Sequence, residues 1–229
     1  MSAFPPRLRR REEDAGAKAQ VSSDAAPEPR WRRRAEARPD EILDAALAAF
    51  TEQGFEATPV DDVARRAGIS KAGLYLYFES KEALLRALIE REIAPFARLT
   101  RVLADEGKDN PAATIGGIIA AMTTLFENPR MFAAPRIVLS VAPRFPEIGA
   151  YYREHVVEEA LGAVASLIEA GVARGVFRKV DPVLGARAVM GPLVLQAMWT
   201  HVLGGAPSRG SPQERASAQL DLLMQGMAS

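Results

Sequence analysis

The segment from Thr58 to Lys81, TPVDDVARRAGISKAGLYLYFESK, leaves the backbone few choices. Thr58 reads as an N-cap, Pro59 suits the first helical position, and Asp61 stands where a capping-box acid would. Val60, Val63, Ala64 and Ala67 recur at spacings of three and four, which makes one apolar stripe on one helix. Gly68 stops that helix, because the residue past a helix end usually takes positive φ and glycine does so without a Cβ clash. Ser70 caps the next helix, and Leu74 and Phe78, four apart, lock its inner face onto the first. Lys71, Ala72, Gly73, Leu76 and Tyr77 are left to point outward. Two short helices around a glycine turn, the second small and basic at its start, form a helix-turn-helix.

Such a second helix enters the DNA major groove N-terminus first, so bulk near that end would hold it off the bases. Ala72 and Gly73 permit close approach, Lys71 reaches a guanine edge or a phosphate, and Tyr77 and Lys81 are placed for phosphates. Thr58 belongs to the same expected interface. The competing reading is an ordinary α-hairpin with a solvated polar face.

A longer ordered pattern bears on that choice. Ile42, Ala45-Ala46, Phe50, Gly54-Phe55, Thr58, Val63-Ala64, Ala67 to Lys71, Leu74-Tyr75, Tyr77-Phe78 and Ser80 to Leu84 together resemble the DNA-binding domain of TetR-family bacterial transcriptional regulators. The match covers Ile42 to Leu88, and the remainder resembles the family only in being helical and in broad layout.

Before this domain, residues 1–36 read as a disordered arm, rich in Pro, Ala, Ser, Arg and Glu without apolar periodicity. Arg30, Arg32, Arg33 and Arg34 lie next to the first helix, which is expected to start at Ala37 or Pro39 and end at Gln53. From Glu36 to Glu92 there are twelve acids against seven bases, an odd balance for a domain that approaches phosphates. The arginine cluster is therefore a second candidate source of positive charge, the alternative being a passive solvated tail.

Ser80 caps a fourth helix, and Pro95 should kink or end that segment. Further helices are marked by Asn110-Pro111, by Asn128-Pro129 with Pro135 interrupting, and by Pro146 opening a long one that ends at Gly175. Asp181-Pro182 starts another, bent near Gly191-Pro192, and Ser211 to Glu214 is a capping box for the last. No strand pattern competes. The expected fold is all-α, with an N-terminal three-helix helix-turn-helix domain over 37–92 and a C-terminal helical ligand-binding and dimerisation domain over 93–229.

The resemblance implies more than the local pattern does. The last two helices occupy the family's usual position for a dimer contact, and Leu184, Leu195, Met198, Val202, Leu220 and Leu223 supply apolar surface for it. Packing on the long helix from Pro146 is the plainer account of those residues. An effector pocket is implied too, with Met122, Phe126, Phe132, Arg136, Tyr151, Tyr152, His155, Met190, Met198 and Trp199 as candidates for holding a small, mostly apolar ligand. Each of these would serve equally as core. The expected function is a homodimeric regulator of a palindromic double-stranded operator, a ligand-released repressor by family default. An activator of the same fold, or a protein-interaction module without DNA binding, are the alternatives.

Other classes lack support. There is no nucleophile–base pair, no glycine-rich phosphate loop in a strand–loop–helix setting and no metal-ligand spacing, so no catalytic residue, metal or cofactor is expected. With no cysteine, disulfides are excluded. No apolar run is long enough to span a bilayer, and the N-terminus lacks a signal-peptide core. A cytoplasmic protein without membrane partners is the expectation.

Overall fold

Helix ends fall where the chain changes chemistry. The computed structural model describes the backbone of residues 30–227 and the side chains of residues 38–226. The expectations on residues 1–29 and on the side chains of Arg32, Arg33 and Arg34 lie outside the described residues. The long helix α1 (Arg30–Gln53) ends at Gly54, whose φ of 83° suits glycine. α2 (Val60–Arg66) closes on Gly68, with φ 67°. Ser70 Oγ accepts the Gly73 amide at 3.0 Å and starts α3 (Lys71–Tyr75). Ser80 Oγ does the same for the Ala83 amide, at 3.0 Å, at the head of α4 (Lys81–Glu92).

The α4 segment ends at its C-cap, Ile93, just ahead of Pro95 as expected, and Pro95 opens the next helix: α5 (Ala94–Glu106) carries it in the first turn, where its missing N–H costs nothing. Then follow α6 (Pro111–Phe126), α7 (Ala133–Val141) and α8 (Pro146–Tyr152). A π-helical turn, Arg153–Val157, joins α8 to α9 (Glu158–Ala173). α10 (Pro182–His201) is capped by Asp181, whose Oδ1 accepts from the Val183 and Leu184 amides, and α11 (Pro212–Met227) by the Ser211–Glu214 capping box. No β-strand occurs among the described residues.

Three expectations are corrected. α1 starts at Arg30, with Pro39 inside it, because proline forfeits one backbone bond but holds φ near the helical value. Asn128-Pro129 does not start a helix; Asn128 Oδ1 accepts the Arg130 amide at 3.0 Å in a local turn, and α7 begins at Ala133 with Pro135 in its first turn. The long helix from Pro146 is interrupted by the π-turn.

Two apolar cores organise the described chain. The first joins α1 to α4 with the start of α5, α7, α8 and Val156 of the π-turn; Ile42, Phe50, Leu74, Leu85 and Ile148 are fully or almost fully buried in it. The helix-turn-helix core therefore runs past Glu92 into the second half of the sequence. Phe55 lies edge-on to both Phe50 and Phe145, and Arg144 pairs with Glu56. The second core joins the end of α5 to α6, α9, α10 and α11 around Ile115, Ile119, Leu167 and Ile168.

Candidate nucleic-acid interface and effector cavity

Burial sorts the helix-turn-helix into two faces. Leu74 is fully buried and Phe78 half-buried against the first core, while Lys71, Ala72, Leu76 and Tyr77 face solvent. Leu76 is 85% exposed, a conspicuous cost for a leucine with nothing to cover it. Gly73 packs against its own cap: an added Cβ would lie 3.2 Å from Ser70 Oγ, so bulk there would press on the hydroxyl that starts α3.

The three cations of α2 and α3 each have a carboxylate partner. Lys71 Nζ is 3.1 Å from Asp61 Oδ1, Arg66 is 2.6 Å from Glu52, and Arg65 pairs with Asp62. The Arg66 hydrogen bond holds the Glu52 carboxyl below its ordinary range. Such exposed pairs are weak, so a phosphate can displace the carboxylate at little cost.

Two residues expected at the DNA have inward duties instead. Thr58 is 0% exposed, and its hydroxyl donates to Gly54 O at 2.7 Å and Ala49 O at 3.3 Å. It does not cap α2, where Pro59 takes the extended cap position and no side chain caps. Thr58 is a buried tie between the end of α1 and the start of α2, out of reach of DNA. Lys81 Nζ donates to Thr58 O at 2.9 Å and Glu56 O at 3.1 Å and lies 4.6 Å from the Phe55 ring centroid. Burial pushes its ammonium below the ordinary lysine value. That geometry makes Lys81 a clamp on the turn before α2, with two of its three donors already used.

A cavity of about 370 Å³ opens where the two cores meet. Ile93 and α5 (Phe96, Ala97, Thr100) form one wall, and Met122, Leu125 and Phe126 of α6 another. Met131, Phe132, Pro135 and Leu139 close a third side, with Tyr152, Val156, Val157, Ala160 and Leu161 facing them. α10 contributes Arg187, Met190, Gly191 and Val194, a stripe at spacings of three, four and seven. Of the expected ligand contacts, Met122, Phe126, Phe132, Tyr152 and Met190 are brought together here.

Arg136, His155, Met198 and Trp199 are not. Arg136 lies on α7 beside the Pro135–Leu139 stripe that faces the cavity. Of the π-turn, Val156 and Val157 line the cavity beside Tyr152 of α8. His155 is exposed, stacked at 4.0 Å on the Tyr151 ring, with Nδ1 3.0 Å from the Tyr151 carbonyl oxygen. Met198 and Trp199 follow the last α10 residue of the wall, and Trp199 donates its indole N–H to Ala206 O at 2.9 Å. Tyr151 likewise stays off the wall, donating its hydroxyl to Glu90 Oε1 at 2.7 Å.

Residues 42–88 match the family profile described as bacterial regulatory proteins, tetR family. Residues 114–223 match the profile of the AefR-like transcriptional repressor, C-terminal domain. The chain belongs to the tetR family. It is 29% identical over 175 residues to the A-factor receptor protein of Streptomyces griseus, covering 76% of this chain and 59% of that protein. It spans about half to three-fifths of the length of the first curated relatives it matches. A TetR-family regulator structure from Mesorhizobium loti superposes with a TM-score of 0.70 at 21% identity, covering 88% of this chain and 100% of that one. FadR from Bacillus subtilis, solved in complex with stearoyl-CoA, gives a TM-score of 0.61 at 18% identity over 82% and 98% of the two chains. Both likenesses establish the fold.

In this tetR-family chain the largest group of exposed apolar side chains stands on α10 and just after it, with one more on α11. Leu184, Leu195, Trp199, Val202 and Leu203 stand on α10 or just after it, and Leu222, 74% exposed, on α11. The face differs from the expected one at Leu220 and Leu223, which are half-buried against the second core. Tyr75 and Arg187 were not anticipated. Tyr75 is exposed beside Leu76 and Tyr77 because α3 ends there and helical spacing no longer sorts the residues. Arg187 had a legible signal: it is the one Lys, Arg, Asp or Glu in the twenty residues of α10.

Proposed function

We propose that this chain is a homodimeric repressor that binds a palindromic operator through α2 and α3 and lets go when a small apolar ligand fills the cavity. The observation that carries the reading is the position of the cavity between the two cores. Its first wall is Ile93 and α5, which follow α4 directly, and α4 follows the recognition helix after five residues. Packed cores transmit strain because they have little void to absorb it. A ligand that spreads the walls therefore bears on the helix that carries the DNA-reading face. The stearoyl-CoA held by Bacillus subtilis FadR is in keeping with an apolar occupant in a protein of this fold.

The exposed face of α10 and α11 supports the dimer. Two copies meeting there would cover Leu184, Leu195 and Leu222 and would present two recognition helices to half-sites about 34–36 Å apart or a multiple of that. A mobility-shift titration of the full chain on DNA upstream of its own gene tests the function. Salt-sensitive binding of one dimer to a palindromic segment is the expected result, with no shift on scrambled DNA at the same concentration. The exposed Tyr75, Leu76 and Tyr77 favour one other reading, a docking surface for a protein. On DNA the same side chains would pack on thymine methyls and sugars. Absence of any DNA shift by a folded dimer would favour the docking surface.

A further inference from the structure

The cavity wall is uniform in chemistry except at three places. Thr100 has a hydroxyl there, but it donates to Phe96 O at 2.8 Å within its own helix. Tyr152 has a phenol, pushed up to about 12 by burial, with no hydrogen-bond partner among the described residues. Arg187 has a guanidinium. No Asp or Glu lines the cavity, and none occurs anywhere on α10. Arg187 makes no ion pair or hydrogen bond among the described residues and stands at the exposed end of the α10 stripe, one turn before Met190. A cation at the edge of an apolar, acid-free chamber discriminates among ligands by charge. A ligand that covers Arg187 strips water from its guanidinium, and an anionic group repays that loss more fully than a neutral acceptor, because it adds a second charge and can bond the guanidinium bidentately. An amine would meet like charge with no carboxylate to receive it.

We infer that the effector is an apolar monoanion, a carboxylate on a hydrocarbon body, with its charged group on Arg187 and its body among Met122, Phe126, Tyr152 and Met190. This rests on the proposed effector role of the cavity and names the chemistry that role requires. The size is bounded too. Taking the share of one water, about 30 Å³, as the unit, the cavity holds about a dozen non-hydrogen atoms, the size of a ten-carbon acid. A longer chain would have to displace wall residues or leave part of itself in solvent.

Isothermal titration calorimetry of the full-length protein without DNA, using decanoate, decan-1-ol and decylammonium, tests this. Decanoate should bind at least about tenfold more tightly than decanol, a difference of about 1.4 kcal/mol. Decylammonium should bind more weakly than either. Arg187→Met should bring decanoate down to the affinity of decanol and leave decanol within about twofold, while Arg187→Lys should keep part of the preference. Thermal melting of both variants guards against loss of fold. A variant that does not fold leaves the wild-type preference for decanoate over decanol and decylammonium to decide.

Equal binding of decanoate and decanol to the wild type overturns the inference, as does binding of none of the three. So does a preference for decanoate that survives in Arg187→Met. If Arg187→Met instead weakens self-association with the preference intact, its partner is a carboxylate of a second copy. Because the titration contains no DNA, it separates this inference from the proposed release. Decanoate that binds through Arg187 yet leaves an operator shift unchanged supports the inference while refuting ligand release.

Discussion

At the residue scale, the helix-turn-helix divides its polar side chains between reading and holding. Thr58 and Lys81 hold, so their loss should appear in stability before it appears in DNA affinity. Thr58→Val would leave the Gly54 and Ala49 carbonyls without their hydroxyl donor, and Lys81→Met would free the Thr58 and Glu56 carbonyls. Each is expected to cost about 1–2 kcal/mol of unfolding free energy in a urea titration, with the salt slope of DNA binding unchanged. A flatter salt slope for Lys81→Met would restore it to the phosphates. Lys71 should behave oppositely, because its partner Asp61 is half exposed and the pair adds little to stability. Lys71→Ala should flatten the slope of log K against log salt by about 0.9 per phosphate it neutralises. Asp61→Asn should tighten DNA binding by about two- to fivefold at low salt, since a carboxylate no longer competes for the ammonium. Weaker binding by Asp61→Asn would show that the pair orients Lys71.

At the scale of elements, the π-turn is where the two halves of the molecule are latched. Tyr151, in α8 two residues before it, donates to Glu90 on α4, and Arg98 donates to the other oxygen of Glu90 at 3.2 Å. The Tyr151 hydroxyl, ahead of Arg98, holds the Glu90 carboxyl below its ordinary value of 4.5. Burial, ahead of the Glu90 hydrogen bond, pushes the Tyr151 phenol up to about 12. The signs then bound the latch. The lowered carboxyl contributes stability above pH 4.5 that is lost as pH falls through its folded value. The raised phenol contributes stability below pH 10.0 that is lost as pH rises through about 12. Tyr151→Phe should therefore destabilise by about 1 kcal/mol, allowing for solvent screening of a partly exposed carboxylate, and by the same amount at pH 6 and pH 9. A penalty that changes between those two values would mean that another group carries the link.

At the scale of the molecule, the proposed dimer rests on the exposed apolar side chains of α10 and α11. Leu195→Arg, at a position 65% exposed in the single chain, should fold normally and fail to dimerise. The penalty for an uncompensated charge in an apolar interface is about 3–5 kcal/mol. Leu222→Arg tests the same face from α11, whereas Leu223 packs partly into the chain's own core and would confuse folding with assembly. Sedimentation equilibrium at micromolar concentration should give a dimer for the wild type and monomers for both variants. A monomeric wild type, or dimeric variants, would remove the proposed two-fold reading of DNA.

What the sequence determined alone is local. The glycines after α1 and α2, the serine caps of α3 and α4 and the apolar stripes between them act over three or four residues, so their consequences are visible in a linear string. The outward set Lys71, Ala72, Leu76 and Tyr77 follows from the same periodicity. Tertiary structure decided whatever depends on distant segments. Thr58 reads as a cap until the end of α1 supplies two carbonyls for its hydroxyl, and Lys81 reads as a free cation until Phe55, Glu56 and Thr58 surround it. His155 reads as a ligand contact until the folded chain leaves it in solvent, while its neighbour Val156 lines the cavity. The cavity is lined by five separate stretches of chain, and nothing in any one of them states the distance to the others. Periodicity is a property of one helix, but a void is a property of how helices fail to fill the space between them.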